Sequence, residues 1–167
     1  ALTSAICSHD GGAKTLVIEK STQFGGTSAT SGGGVWIPNN RYAKAENVDD
    51  SDQDARDYIN SVSPEGKIKD ELVETYLSEG PKMIDYLHDN SQVKYRNLAH
   101  YPDYFPDNPG GKAGNRSMEP EPIKGTELGD DLGKLRGQHP QTAFTMGPIN
   151  MNFTQVEGQL LLGALPG

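Results

Sequence analysis

A loop rich in glycine and hydroxyl side chains is the part of this sequence best suited to chemistry. Residues 25–34 contain a glycine pair, a serine- and threonine-rich stretch and then three consecutive glycines. Glycine lets the backbone adopt positive φ and approach a ligand closely, and the hydroxyls add hydrogen-bond donors. Such loops can wrap a pyrophosphate or lie against a flat ring system.

An apolar segment in front of this loop ends on a carboxylate. Residues 15–18 predict a β-strand, and Glu19 and Lys20 follow it. In a dinucleotide-binding βαβ unit, the phosphate-binding turn has the glycine fingerprint G-x-G-x-x-G. An acidic residue about 20 positions beyond this fingerprint holds the ribose hydroxyls. Glu19 has this setting, which predicts a dinucleotide site. The fingerprint would lie upstream of residue 1, so we expect the chain to be part of a longer protein. The alternative is a lone apolar helix and strand that bind no nucleotide.

Several helices are predicted around these segments. Residues 1–9 form the first, apolar on its inner face, and Asp10-Gly11-Gly12 ends it. Ser51 and Asp54 resemble a capping box that starts another helix. Its predicted inner face carries Ala55, Tyr58, Ile59 and Val62.

The next helix is predicted to turn Ile68, Leu72, Tyr76 and Leu77 inward. Gly80-Pro81 interrupts this pattern, and Pro81 suits the first position of a further helix. The apolar face of that helix is predicted to carry Met83, Ile84 and Leu87. A half-buried strand is expected over residues 93–98, because apolar and polar side chains alternate there.

The aromatic, proline-rich segment 100–122 follows as a predicted loop. Loops of this length without regular structure are usually functional or disordered, and the phenol rings of Tyr101 and Tyr104 favour an ordered pocket wall. The turn-rich remainder includes an apolar run at residues 160–162, to which the sequence assigns no chemical role.

Composition narrows the class of protein. The 167 residues include 15 basic and 23 acidic side chains, a net charge of −8, which argues against a nucleic-acid-binding surface. No apolar stretch reaches the 18 or so residues of a membrane-spanning helix. The single cysteine, Cys7, excludes an intrachain disulfide and is expected to be a small buried filler.

Metal and hydrolase sites have little support in the sequence. The four histidines are scattered, with no zinc-ligand spacing among them or with Cys7, so no metal is predicted. The acidic stretch of residues 46–52 is expected to be solvated charge at a helix start. The serines lack the G-x-S-x-G pattern of a nucleophile elbow.

Together these motifs resemble a known family. Residues 25–38, following Val17-Ile18-Glu19-Lys20, are similar to the FAD-binding region of 3-oxosteroid 1-dehydrogenases, within the fumarate reductase and succinate dehydrogenase flavoprotein group. The segment Pro102-Asp103-Tyr104-Phe105-Pro106, with the glycines and Asn115-Arg116 that follow, resembles their substrate-site loop. The resemblance extends from residue 1 to about residue 122.

The resemblance implies an α/β fold. Residues 1–50 would form a partial Rossmann-like FAD-binding segment whose first strand and glycine turn are missing. Residues 51–92 would be an inserted helical segment. Residues 93–167 would form a loop-rich segment that begins the substrate-binding region, with the substrate-site loop at 100–122.

The resemblance also implies roles for residues. Glu19 would accept hydrogen bonds from the FAD ribose, Gly26 to Ser28 would lie along the pyrophosphate, and Ser31 to Gly34 would border the isoalloxazine ring. The full set of implied FAD contacts is Glu19, Lys20, Gly25, Gly26, Thr27, Ser28, Ser31, Gly32, Gly33 and Gly34. Tyr104 matches a catalytic tyrosine that raises the reactivity of a second tyrosine acting as base, and Tyr101 and Tyr104 would line the steroid pocket.

The implied reaction is the introduction of a 1,2 double bond into a 3-oxosteroid, or another flat apolar substrate, with an external electron acceptor. The base tyrosine and the groups that bind the keto oxygen lie outside this sequence, so the chain alone is expected to be inactive. A cytoplasmic location is expected, with peripheral membrane association as an alternative.

Two other functions remain open. One is a fumarate-reductase-like flavoprotein that reduces a small unsaturated acid. That chemistry needs arginines to clamp carboxylates, and Arg96 and Arg116 flank the aromatic loop. The other is a non-catalytic flavoprotein fragment.

Overall fold

The computed structural model describes residues 2–65 and 67–137. Predictions for the chain beyond residue 137, including the apolar run at 160–162, lie outside the described residues. Four helices and three short strands are present in the described part, with 3₁₀ turns at Ser28–Thr30 and Gly125–Lys134. In chain order these are α1 (Leu2–Asp10), β1 (Val35–Trp36), α2 (Arg41–Ala45), α3 (Asp52–Val62), α4 (Asp70–Asn90), β2 (Tyr95–Asn97) and β3 (Ser117–Pro120).

The strands form one antiparallel sheet in the order β1-β3-β2. Val35 pairs with Met118, and Arg96 pairs with Glu119. β2 lies within the strand predicted for residues 93–98. β3 corrects the prediction that all of segment 100–122 is a loop. Its signal is weak because the strand has only four residues, and burial does not alternate along it: Met118 and Glu119, adjacent in sequence, are both buried.

Two small apolar clusters hold the helices against the sheet. Ile37, Ile84 and Met118 form one, and Ala55, Val73 and Leu77 form the other. The α3 prediction is confirmed at its start, where the Ser51 hydroxyl accepts a hydrogen bond from the Asp54 amide at 3.1 Å. Ala55 and Tyr58 are buried as predicted, whereas Val62 is exposed.

α4 corrects two predictions. The helix is continuous through Pro81 instead of stopping before it. Its buried face carries Val73, Leu77, Gly80 and Ile84, which confirms the inward placement of Leu77 and Ile84. The other residues predicted to face inward include four that are exposed: Ile68, Leu72, Tyr76 and Met83. Gly80 permits close packing, because a Cβ there would lie 3.2 Å from the Ile37 side chain. That packing stabilises the helix despite the hydrogen bond that proline removes.

α1 ends as predicted. Gly12 has φ +86°, and the amides of Gly12 and Ala13 donate to the carbonyls of His9 and Ser8 at 2.8 and 2.9 Å. This pattern is a Schellman motif, which requires a left-handed residue that glycine adopts most easily.

The apolar face of α1 and the segment after it differ from prediction. No strand forms at residues 15–18, and Leu16, Val17 and Ile18 are exposed. A strand needs a neighbour to hydrogen-bond with, and no described segment pairs with this one. Leu2, Ile6 and Cys7, predicted to face inward, are exposed, because no element of the described residues covers this side of α1.

Candidate active site

The glycine loop has the backbone conformation that its sequence predicts. Gly25, Gly26 and Gly33 have φ of +107°, +53° and +70°, values that side-chain-bearing residues rarely adopt. A Cβ on Gly33 would collide with Pro120, whereas the space beside Gly26 is open. Glycine is therefore needed at Gly33 for packing, and at Gly26 it leaves the backbone accessible to a ligand.

Polar groups accompany this backbone at the surface. Thr27, Ser28, Ser31, Gly32 and Gly34 are exposed. Within the loop, the Ser31 hydroxyl accepts a hydrogen bond from the Gly33 amide at 3.1 Å. These hydroxyls and open peptide groups are the donors that an anionic or planar ligand needs.

Glu19 lies on the same exposed chain, immediately before the loop. Its Oε1 accepts a hydrogen bond from the Ser21 amide at 2.9 Å, which restrains the carboxylate, and Lys20 is exposed beside it. A restrained, solvent-facing carboxylate fits the role of ribose acceptor. The residues present therefore fit an FAD molecule in chemistry: a carboxylate for the sugar and open peptide groups with hydroxyls for the phosphates and ring.

A cavity of about 380 Å³ opens where the glycine loop enters β1. Its volume lies in the range of small-molecule sites. The lining comes from the end of the glycine loop and β1, from α3, from the aromatic segment and from β3: Gly34, Val35, Trp36, Tyr58, Ile59, Val62, Leu98, Tyr101, Pro102, Asp103, Tyr104, Ser117 and Met118.

The cavity brings together some predicted site residues and not others. Tyr101 is half-buried, and Tyr104, 84% exposed, lies at the rim. Both line the same cavity as Gly34. Glu19, Lys20 and the loop from Gly25 to Gly33 do not line it.

The aromatic segment is fastened to α3. The Phe105 amide donates to the Tyr58 hydroxyl at 3.3 Å, and the Lys112 ammonium donates to Asp54 at 3.0 Å. The hydrogen bond from Lys112 lowers the pKa of the Asp54 carboxyl below its usual value. Gly110, at φ +72°, lies so close to α3 that a Cβ would collide with the Asp54 carbonyl. These contacts make α3 and the aromatic segment two walls of one cavity.

A buried ion cluster lies beneath these walls. The Arg116 side chain is 1% exposed and lies between Asp50 and Asp103, which are 4% and 2% exposed. Arg116 donates to Asp50 at 2.7 Å and to Asp103 at 2.9 Å. Its guanidinium also lies 5.5 Å from the centre of the Trp36 ring. The prediction of solvated charge is therefore wrong for Asp50.

Sequence reasoning missed this cluster. Its partners are distant in the chain, with Asp50 and Arg116 66 positions apart, so spacing offers no guide. The one available signal is Asp103 itself, a carboxylate inside an aromatic, proline-rich run. The sequence pattern places Tyr58 and Ile59 on a helix face, and only the fold shows that this face lines a cavity.

Comparison with known proteins identifies the class. Residues 1–156 match the family model described as an FAD-binding domain, and the chain belongs to this family. Its mixed architecture of helices and a small antiparallel sheet is that of this domain.

The relatives include 3-oxosteroid 1-dehydrogenases. One from Mycolicibacterium smegmatis is 34% identical over 93% of this chain and 27% of its own length. A 4-oxocyclohexanecarboxylate 2-dehydrogenase from Sinomonas cyclohexanicum is 34% identical over 87% of this chain and 25% of its own. The crystal structure of 3-ketosteroid Δ1-dehydrogenase from Sterolibacterium denitrificans, in complex with 1,4-androstadiene-3,17-dione, superimposes with a TM-score of 0.85 at 36% identity, covering all of this chain and 29% of that one.

The chain thus spans about a quarter of the length of these relatives. The predicted resemblance to the 3-oxosteroid 1-dehydrogenase family is confirmed at the level of relatives and fold. In the described residues, no helix combines the length and apolarity needed to cross a membrane.

Proposed function

We propose that this chain is the part of an FAD-dependent 3-oxosteroid 1-dehydrogenase that holds the cofactor and forms one side of the substrate pocket. The observation that carries the proposal is the shared cavity of Gly34, Tyr101 and Tyr104. It joins the end of the glycine loop to the aromatic segment, so a ligand on the loop and a ligand between the phenols would be neighbours. The proposal includes a Rossmann-like arrangement for residues 1–50, an external electron acceptor and a cytoplasmic location.

The lining suits a flat apolar substrate. Most of its residues are aliphatic or aromatic, and Ile59, Val62 and Leu98 line it together with the aromatic segment. Apolar walls with a few placed polar groups are typical of small-molecule sites. The Tyr101 and Tyr104 phenols provide the polar groups here.

Bound FAD would supply the acceptor for the hydride that leaves the substrate. Tyr104, at the open rim, can donate a hydrogen bond to a neighbouring phenol of the full-length protein. A hydrogen bond of this kind stabilises a phenolate and brings its pKa nearer the working pH. Glu19 and the glycine loop would hold the nucleotide and ring in place.

The alternative of an unsaturated-acid reductase lacks its carboxylate clamp in the described residues. Both candidate arginines are paired within the fold. Arg116 is buried against Asp50 and Asp103, and Arg96 donates to the buried carboxylate of Glu119 at 2.6 Å. Releasing either one to bind a substrate would remove the cation that faces a buried carboxylate.

Flavin spectra test the function. We expect the purified full-length protein to be yellow. Adding a 3-oxosteroid with a saturated ring A under anaerobic conditions should reduce the flavin and bleach its visible absorption. A reductase of unsaturated acids would instead recover its colour when fumarate is added to the pre-reduced protein. A colourless protein would favour the non-catalytic alternative. Either of these last two results would contradict the proposal.

Replacing Glu19 by alanine tests the cofactor site. Loss of a charged hydrogen bond to the ribose should weaken FAD binding by about 1.5–3 kcal/mol, roughly 10- to 150-fold in Kd. FAD release on dilution, followed by flavin fluorescence, measures this. Glu65→Ala removes a carboxylate from an exposed turn and should leave Kd unchanged. Equal Kd values for the two variants would exclude Glu19 from the site.

A further inference from the structure

Asp103 separates the two phenol-bearing residues of the substrate wall and differs from them in exposure. Its side chain is 2% exposed, whereas Tyr101 is half-buried and Tyr104 is 84% exposed. In the sequence Tyr101-Pro102-Asp103-Tyr104, the aspartate is the buried residue, and it adds an attachment to those that Phe105 and Lys112 make to α3. A phenol one residue away has its backbone fixed by that attachment.

The Asp103 carboxylate accepts hydrogen bonds from three separate parts of the chain. The Trp36 indole Nε1 of β1 donates to Oδ1 at 2.6 Å. The Arg116 guanidinium and the Lys112 amide donate to Oδ2 at 2.9 and 3.0 Å. The Asp103 amide also donates to the Lys112 carbonyl at 3.0 Å. Asp103 therefore closes the 103–112 loop and ties it to the strand that follows the glycine loop.

This arrangement needs a carboxylate. All three donors are N–H groups, and an ionised carboxylate only accepts. An asparagine would have one acceptor oxygen and one donor nitrogen. The less costly orientation turns its oxygen toward Arg116 and Lys112, and its amide nitrogen then faces the indole N–H of Trp36. Two donors in contact repel each other, so the amide would be pushed away from β1.

We propose that Asp103 is a positioning residue for the dehydrogenation, an inference that rests on the function proposed above. Through Trp36 it sets the distance between the aromatic wall and the glycine loop, and so between Tyr104 and the place of the flavin ring. Arg116 donates to the Asp103 carboxylate in the interior and is itself held by Asp50. Asp103 acts in this role through Trp36, because its carboxylate, 2% exposed, is occupied by N–H donors of the protein.

The test is Asp103→Asn in the full-length protein, with kcat expressed per bound flavin. A displacement of the wall by about 1 Å should lower kcat by roughly 10- to 100-fold, while flavin content stays that of the unaltered protein. Asp107→Asn is the matched control, because it makes the same chemical change at an exposed position of the same loop. Its kcat should match that of the unaltered protein.

A rescue experiment separates positioning from general damage. Trp36→Phe removes the indole N–H, and with it the donor that opposes the side-chain amide of the introduced asparagine. We expect kcat of the double variant to exceed that of Asp103→Asn by about threefold or more. Damage by two independent routes would instead give a double variant slower than either single one, which would overturn the proposal.

The other outcomes are also decisive. If Asp103→Asn changes kcat no more than Asp107→Asn does, Asp103 has no positioning role. If Asp103→Asn does not fold, Trp36→Phe alone decides: a lower kcat at unchanged KM supports the proposal, and any other result overturns it. If the unaltered protein and Asp107→Asn both fail to oxidise 3-oxosteroids, the proposed function itself fails. If Asp107→Asn is active and Asp103→Asn keeps the same kcat, the positioning role of Asp103 is overturned and the proposed function stands.

Discussion

Replacing Tyr104 by phenylalanine should lower kcat on a 3-oxosteroid by about 10²- to 10⁴-fold while FAD stays bound. The change removes one hydroxyl and keeps the ring. Because Tyr104 is 84% exposed at the cavity rim, its hydroxyl contributes little to packing, and stability should be unchanged. Steady-state kinetics on the full-length protein, with flavin content measured on the same sample, give the result.

Tyr86→Phe is the matched control for this experiment. Its hydroxyl lies away from the cavity and donates to Asp10 at 3.0 Å, a contact that raises the pKa of Tyr86 to about 12. Removing that hydroxyl should leave kcat unchanged. If Tyr104→Phe turns over at the rate of this control, the Tyr104 hydroxyl takes no part in the reaction.

Arg116→Met should lower the free energy of unfolding by about 3–5 kcal/mol. Methionine fills similar space but leaves the carboxylates of Asp50 and Asp103 buried without their shared partner. Desolvated carboxylates that cannot be neutralised by a cation are costly. Urea denaturation of the full-length protein, followed by circular dichroism, measures the change.

Lys82→Met provides the comparison. Lys82 forms an exposed ion pair with Glu79, with its side chain 68% exposed, and such pairs contribute about 0–1 kcal/mol. Comparable losses in the two variants would mean that the Arg116 cluster is no more important to stability than a surface ion pair. A loss confined to Arg116→Met would place the cluster at the centre of the fold's stability.

The cluster explains how a chain of low hydrophobic content organises its cavity. Aliphatic packing joins α4 to the sheet through Ile37, Ile84 and Met118. On the other side, Arg116 joins the segment before α3, the aromatic loop and the Trp36 ring through charge and hydrogen bonds. Polar anchoring of this kind gives fixed directions as well as attraction, because each N–H must face its acceptor.

Much of the local structure followed from sequence. The Ser51 cap, the glycine stop of α1 and the positive φ of Gly25, Gly26 and Gly33 were all predictable. Each depends on residues within a few positions of one another, so the sequence pattern contains the whole interaction. The expectation of an ordered aromatic wall also agrees with the structure, because Tyr101 and Tyr104 line a cavity.

Predictions that depended on partners elsewhere in the chain were less successful. In α4 the inward prediction holds for Leu77 and Ile84 and fails for Leu72 and Tyr76. The helix packs against Ile37 through the face that contains Gly80. Residues 15–18 have a strand's composition but lie unpaired in the described structure. An extended segment becomes a strand only when a neighbouring segment supplies its hydrogen bonds. The composition of the segment does not identify that neighbour.

The sequence by itself determined the chemistry available to this protein: a carboxylate before a glycine and hydroxyl loop, and phenols on a proline-braced segment. Tertiary structure decided which of these groups meet, placing Gly34 beside Tyr101 and Tyr104 and burying Asp50 and Asp103 on Arg116. The physical reason is the distance along the chain between the residues that interact. Backbone conformation and caps depend on adjacent residues, whereas a cavity and a buried ion cluster depend on contacts between residues that are tens of positions apart.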